Sequence, residues 1–490
     1  MKRTLLFTAA ISLAITSMAQ NEQIHVFRND KAFSSFKAAD IKSMTHEGSA
    51  NGYNSLVITD NDSKVTTIDL SKVDSVAVRA NGLPEFHVTL NDYPDFTDLR
   101  TEWGKEFEYA ATLRMDGNGM YDDLAEQQVT FRGRGNSTWG MNKKPYRFKM
   151  GKKASVCGLP KAKTFALIAN YIDCSLMRNT VALWTANYLE MPFANHCVPV
   201  KVYLNGNYKG QYMLTEKIGI GGGSVDIEET EGMLFELDSN YDENYRFYLD
   251  LNNGTEAWQS GHSVLPVMVK DPDLDELAAD NLLGGATAKD YFEKWKADFI
   301  EMGKAVMNTP ADGSLKEYVD LESAANFFIV NSLAGNHEVR HPKSFYLYKA
   351  SIDDVYHFGP VWDFDWAYTF DGYEGASASQ PLVTSSGADC GGYLFVQTLF
   401  KNKEFRQIYK QKWDDFVANG YPELLKYMEG YATMIEPTAK ENGLLWPADY
   451  STSWRLSESS FEFRKNFEAL KTWIEQRVNY CNSNANYGIY

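Results

Sequence analysis

Cysteine is scarce in this chain, with five among 490 residues, at positions 157, 174, 197, 390 and 481. So few, so scattered, they exclude a disulfide-built scaffold and a cysteine-rich zinc site, and leave room for one or two bridges with at least one thiol over. Positive charge is short as well: 48 Lys and Arg face 65 Asp and Glu, for a formal net charge of −17. That balance argues against a general nucleic-acid or anionic-membrane surface. Internal repeats and low-complexity runs are missing, which removes solenoids and linker-like chains from consideration. Past the first twenty residues, no apolar run is long enough to span a bilayer.

The first twenty residues, "MKRTLLFTAAISLAITSMAQ", have a pattern of their own. Lys2 and Arg3 form a basic start, Leu5 to Ile15 an apolar stretch, and Ser17-Met18-Ala19 a small-x-small cleavage site. Residues 1–19 are therefore expected to be a signal peptide. No cysteine follows the site, so the mature chain should be exported without a lipid anchor and without a stable membrane span.

The rest has an ordinary globular composition, 44% hydrophobic and 23% charged. Its length calls for two or three domains rather than one core. Residues 20–84 read as a small β-rich module, with β-branched runs "SLVITD", "VTTIDL" and "VDSVAVRA" separated by turn-forming residues. After a boundary near residues 80–86, the chain reads as strands with one helix (residues 174–190) to about residue 240, including a hairpin that turns at Asn205-Gly206. Beyond residue 280 it reads as amphipathic helices, "SAANFFIVNSLAG" among them, broken by a β-like stretch ending "GPVWDFDWAYTF". A strand-rich half and a helical half suggest an α+β protein with two lobes around a cleft.

Three stretches carry chemistry. "FRGRGNSTWGMNKKPYRFKM", residues 131–150, concentrates Arg132, Arg134, Lys143, Lys144, Arg147 and Lys149 in an acidic protein. Arginine forks and lysine point charges suit phosphate oxygens, and Gly133 and Gly135 allow close backbone approach. The same charges would equally suit a solvated hairpin. In "PVWDFDWAYTFDG", residues 360–372, Asp363 and Asp365 lie between bulky aromatics; on a strand an i, i+2 pair points to one side, and two hard carboxylates suit Mg²⁺ or Mn²⁺. Used singly, an Asp would more often serve a turn or cap. The third stretch, "HEVRH" at 337–341, matches the zinc-protease pattern, which needs both histidines on one face of a continuous helix. Gly335-Asn336 before it and Pro342 after it deny it that helix. Two smaller features are Asp173, Arg178 and Asn179 around a helix start, where Asp173 suits a cap, and Glu216-Lys217 at a strand end.

Taken in order, "RGRGNSTWGMNKKPYRFKM", "LIANYIDCSLMRN", "VKVYLNGNYKGQYMLTEKI", "GMLFELD", "LAGNHEVRHPKSFYLYK" and "GPVWDFDWAYTF" resemble the CotH-type spore-coat protein kinase family. The resemblance covers about residues 85–480 and assigns 85–485 to a kinase-like domain. It implies an atypical protein-kinase-like fold with a β-rich N-lobe and a helical C-lobe. It also implies ATP, Mg²⁺ or Mn²⁺, and phosphate transfer to Ser or Thr of secreted or surface proteins. Arg132, Arg134, Asn136, Ser137 and Trp139 would form the nucleotide-side loop, and Lys143 or Lys144 would contact phosphate; Glu216, read from its place at a strand end, is open to pairing with such a lysine or simply with water. Asp363 with Asp365 would hold the metal, and Glu338 would be the kinase-type base or a metal ligand, catalytic alongside Asp363. The chain departs from the family pattern at Glu338, where members most often carry Asp, and at Ser344, near where an Asn ligand is expected. Two alternatives follow: a surface or adhesion scaffold that keeps the fold without the chemistry, and a zinc hydrolase built on His337, Glu338 and His341.

N-terminal sequencing or intact mass of the exported protein should place the first residue at Gln20; an intact Met1 in the exported fraction would show that residues 1–19 are not removed.

Overall fold

The computed structural model describes residues 22–28, 33–49, 52–80, 82–308, 313–368, 377–384, 390–448, 458–484 and 487–490. The expected signal peptide lies outside them. The described residues form a mixed α+β structure with four sheets.

Two small antiparallel sheets come first, Phe33–Lys37, Glu22–Arg28 and Val73–Ala80 in one, Ile41–Ser49, Gly52–Asp60 and Val65–Asp69 in the other. Ile24, Val26, Ile41, Met44, Leu56 and Ile58 form their shared core, as alternation of β-branched residues requires. Strand Phe33–Lys37 lies along the helix Tyr421–Leu445, where Lys37 pairs with Glu436 at 3.5 Å.

Next is a closed seven-stranded barrel: Tyr146–Ala154, Ala162–Ile168, Asn207–Glu216, Val198–Leu204, Glu85–Leu90, Tyr109–Asp116 and Leu124–Gly133, which pairs back onto Tyr146–Ala154. Every pairing is antiparallel except that of Val198–Leu204 with Glu85–Leu90. Phe86, Phe131, Phe148, Phe165 and Tyr212 fill the interior, so the barrel is a packed core rather than a pore. The helix Arg178–Tyr188 leaves the barrel between two of its strands, shorter than the expected 174–190 because Asp173 takes the preceding turn: it accepts from the Ser175 N–H at 2.9 Å and the Arg178 N–H at 2.8 Å.

The chain then builds a six-stranded antiparallel sheet, in the order Thr255–Ala257, Arg246–Asp250, Val264–Asp271, Met233–Leu237, Phe345–Lys349 and His357–Phe358. The three strands between 246 and 271 went unread in the sequence, because charges and turn residues interrupt their alternation. Helices Ala288–Asn308, Leu321–Ala334, Gly392–Leu399, Lys403–Asp415, Tyr421–Leu445 and Phe463–Ser483 share the large core that covers this sheet. Among the described residues no helix is long and apolar enough to cross a membrane.

Two expectations need correcting here. Leu321–Ala334 is not amphipathic but buried on all sides, and its Ser323, Asn326, Asn331 and Ser332 are polar yet internal. Their polar groups bond inward, as when Asn331 donates to the Phe327 carbonyl at 2.9 Å and Asn326 Nδ2 to the Leu189 carbonyl at 3.0 Å, so their polarity does not mark a solvent face. Asp363 and Asp365 are not on a strand: residues 361–364 belong to no regular element, 365–368 are turn, and Asp363 has φ +64°.

The buried helix ends at Gly335 in a left-handed conformation (φ +56°), and a Cβ there would meet the Trp473 ring at 2.6 Å. Gly335→Ala should therefore cost about 1–2 kcal/mol in backbone strain and a further ~1–3 kcal/mol in overpacking. Thermal melts would show a lowered Tm; an unchanged Tm would mean that neither constraint acts.

Candidate active site

A cavity of about 540 Å³ is lined by the barrel loop after strand Leu124–Gly133, the start of helix Arg178–Tyr188, the six-stranded sheet and the segments carrying Glu338 and Asp363. On its barrel side an apolar patch of Pro145, Ile168, Ala169 and Met213, joined by Leu183 from the helix, adjoins the polar loop residues Arg134, Asn136, Ser137 and Thr138. Its opposite side is charged. Five carboxylates line it: Glu236 and Asp238 from strand Met233–Leu237 and the residue after it, Glu338, and the pair Asp363 and Asp365. Three cations stand among them, Arg134, Lys270 and Lys343.

Each acid is held differently. Glu236 bridges two partners, accepting from the Tyr346 hydroxyl at 2.7 Å and pairing with Lys270 at 2.8 Å. Asp238 accepts from the Asn240 N–H at 2.7 Å and the Ser344 N–H at 3.4 Å. Lys343 Nζ reaches Asn240 Oδ1 at 3.2 Å. Asp365 accepts from Asn179 Nδ2 at 2.7 Å. Arg134 lies over the Trp362 ring, 5.3 Å from its centroid, beside the Asp pair.

Crowding carboxylates away from water raises their proton affinity. Burial and then Asp363 and Asp173 push Asp365 up to about 7. Burial and then Asp363 hold Glu338 well above the usual carboxylate range. Asp363 is raised by burial, with Arg134 and Lys343 opposing. Burial pulls the Lys270 ammonium down, but Glu236 and Glu243 outweigh it and raise it overall.

The expected site residues divide. Glu338, Asp363, Asp365, Arg134, Asn136 and Ser137 all line this cavity. Gly135, at φ +80°, lets the loop turn there, and a Cβ would strike Thr138 Oγ1 at 2.1 Å. The others stand elsewhere. Arg132 pairs with Glu106 and sits across from Arg147 on the neighbouring strand, and burial with that like charge lowers its guanidinium to about 10. Trp139 is buried with its ring against Gly133. Lys143 is fully buried and donates to the carbonyls of Ala169 (2.7 Å) and Gln211, a structural use, and its burial lowers its proton affinity. Lys144 reaches the Met141 carbonyl at 3.2 Å and lines a second cavity, of about 740 Å³, on the other side of the loop. Glu216 is taken by His196, whose Nδ1 lies 2.7 Å from its Oε1. Lys143, Lys144 and Glu216 do not line the cavity that holds Glu338, Asp363 and Asp365, whose cations are Arg134, Lys270 and Lys343.

Lys270, Lys343, Glu236, Asp238 and Asn179 were not singled out for the site. Glu236 and Asp238 carried a signal, an i, i+2 acidic pair in the strand-like "GMLFELD", the very pattern sought at 363 and 365. A lone Lys in "VMVKDP" carried none.

The donor set fits a divalent ion shared with a ligand. Mg²⁺ and Mn²⁺ usually take one or two protein carboxylates and complete their shell with phosphate and water. Asp363 and Asp365 supply that much, and among the described residues no group of three or more His, Cys, Asp or Glu forms a cage by itself. The zinc-protease pattern has no helix beneath it: His337–Arg340 is a single 3₁₀ turn capped by Asn336, whose Oδ1 accepts from the Glu338 N–H at 3.3 Å.

The cleft sets five carboxylates among three cations at the junction of a barrel and a helix-covered sheet. The chain belongs to the CotH kinase protein family, whose model matches residues 131–481 and so spans the whole cavity. No curated protein matches the chain.

With its carboxyl holding a proton up to about pH 7 in the folded state against an ordinary value of 3.8, Asp365 makes the native state bind more protons than the unfolded one between those limits. Stability of metal-free protein should thus fall as pH rises through that window, and Asp365→Asn should flatten the fall and raise Tm at pH 8 while leaving it unchanged near pH 3.5. Equal Tm profiles for the two proteins would mean that Asp365 does not carry this cost.

Proposed function

We propose that the protein is an exported, metal-dependent protein kinase that transfers the γ-phosphate of ATP to Ser or Thr hydroxyls of secreted or surface proteins. The observation that carries this is the convergence of Asp363, Asp365 and Glu338 with Arg134, Lys270 and Lys343 in one cavity of a CotH kinase family chain. The barrel then serves as the small lobe and the sheet with its helices as the large one, and residues 85–485 act as one kinase-like unit behind the N-terminal β module.

The apolar barrel wall would receive the base, with Ile168, Leu183 and Met213 against its faces. Arg134, Asn136 and Ser137 would hold the phosphates from the loop side. Lys270 and Lys343 take the phosphate-contacting role that the sequence assigned to Lys143 or Lys144. Asp363 and Asp365 would hold Mg²⁺ or Mn²⁺, which supplies neutralisation of the charge spread over the transferring phosphoryl oxygens. Glu338 would orient the acceptor hydroxyl, and its deprotonated form would take the hydroxyl's proton; burial first and then the charge on Asp363 oppose that deprotonation, and Lys343 favours it.

One observation favours a second reading, a binding scaffold without catalysis. Glu338 is held in its protonated form by burial and by Asp363, and a protonated carboxyl is a poor base.

Purified protein given γ-labelled ATP with Mn²⁺ or Mg²⁺ should label itself or a generic Ser/Thr acceptor, and Asp363→Ala should lower labelling on the order of 10²-fold or more while the fold survives. Nucleotide binding without labelling would select the scaffold; labelling untouched in Asp363→Ala would remove Asp363 from the site.

A further inference from the structure

The two carboxylates at 363 and 365 lie on backbone with no ladder to fix it. Residues 361–364 are in no helix or strand, and Asp363 is left-handed at φ +64°. Their direction must be set from outside. Asn179, in the first turn of helix Arg178–Tyr188, does this with both ends of one amide. Its Nδ2 donates to Asp365 Oδ1 at 2.7 Å, and its Oδ1 accepts from the Phe364 N–H at 2.8 Å. A second Nδ2 contact, to Asn170 Oδ1 at 3.3 Å, fixes which way round the amide sits, since only a donor can face two oxygens. The neighbouring Arg178 adds a third hold, with Nη1 donating to the Asp365 carbonyl at 2.9 Å. Arg178 is anchored in turn by Asp173 and by Glu458, and all of these side chains are buried.

Resting on the metal-dependent reading above, we infer that Asn179 is the positioning residue of the metal site, with the Arg178–Glu458 pair behind it. The amide claims Oδ1 of Asp365 and leaves Oδ2 as the oxygen for a ligand. At the same time it pins the peptide that follows Asp363, so one side chain sets the angle between both carboxylates. Shorter or one-sided side chains lose this: Asp keeps the acceptor and loses the donor, Ser is too short to reach both partners, and Ala loses everything. Groups that orient metal-binding side chains act on metal affinity without touching the metal.

The test measures Mn²⁺ uptake by electron paramagnetic resonance in the presence of ATP, alongside ATP binding in EDTA and melting curves, for the full chain. Asn179→Ala should fold, keep its affinity for metal-free ATP, and lose about 10- to 100-fold in Mn²⁺ affinity, the range found for orienting partners. Glu458→Gln, which keeps the volume and a hydrogen bond but weakens the Arg178 anchor, should lose several-fold in the same direction; it carries the test if Asn179→Ala does not fold. Unchanged Mn²⁺ affinity in the folded variants would overturn this inference alone, as would an equal loss of metal-free ATP binding, which would mark a general collapse of the cavity. Wild-type protein that takes up no Mn²⁺ with ATP would overturn both this inference and the kinase reading.

Discussion

Everything at the cavity depends on holding like charges together out of water. Five carboxylates within one cleft repel one another, and burial removes the solvent that would screen them. The protein answers in three ways: with cations placed among the acids, with hydrogen-bond donors that fix individual oxygens, and by letting some acids keep their protons. Arg134 and Lys343 do the first for Asp363, Asn179 the second for Asp365, and Glu338 takes the third course. A bound cation would relieve the same repulsion more completely.

Most of the supporting structure exists to keep that arrangement from relaxing. The buried helix Leu321–Ala334 has no free face on which to shift, and the close-packed aromatic rings around it, such as Phe327 against Phe345 at 4.6 Å, transmit any displacement rather than absorb it. The ion group Asp173–Arg178–Glu458 joins the start of one helix, the Asp365 turn and the segment leading into the C-terminal helix in a single buried knot. Removing one member leaves another charge unpaired, which is costly at such a depth.

Much of this was legible in the sequence, and the failures have physical causes. The acid pair at 363 and 365 and the glutamate at 338 stood out because carboxylates among aromatics need a reason to be there. The helix stop at Gly335-Asn336 was readable from residue type alone, and it disposed of the histidine pattern. The lysines misled. Lys143 and Lys144 sit in the most basic stretch of an acidic chain, yet their ammonium groups turn inward onto backbone carbonyls, and composition does not tell inward from outward. Lys270 was invisible because its role comes from Glu236 and Glu243 on neighbouring segments, a cross-strand relation with no local spacing. Alternation as a rule was sound but was applied to the wrong segment: 363–365 is irregular backbone, while 236–238 runs out of a true strand.

The end of the buried helix has a mechanical consequence. Ala334 closes the helix, its carbonyl accepts from the Tyr368 N–H at 2.7 Å, and two residues later the turn bearing Glu338 begins. The segment carrying Asp363 and the segment carrying Glu338 thus hang from one mount. A tilt or slide of the large helical core moves both acids together, in common mode, and leaves their separation nearly constant. What such a motion does change is their distance from Arg134, which is carried by the barrel. A displacement between barrel and sheet would therefore change the reach from Arg134 to the acids while the spacing of the acids stays as built.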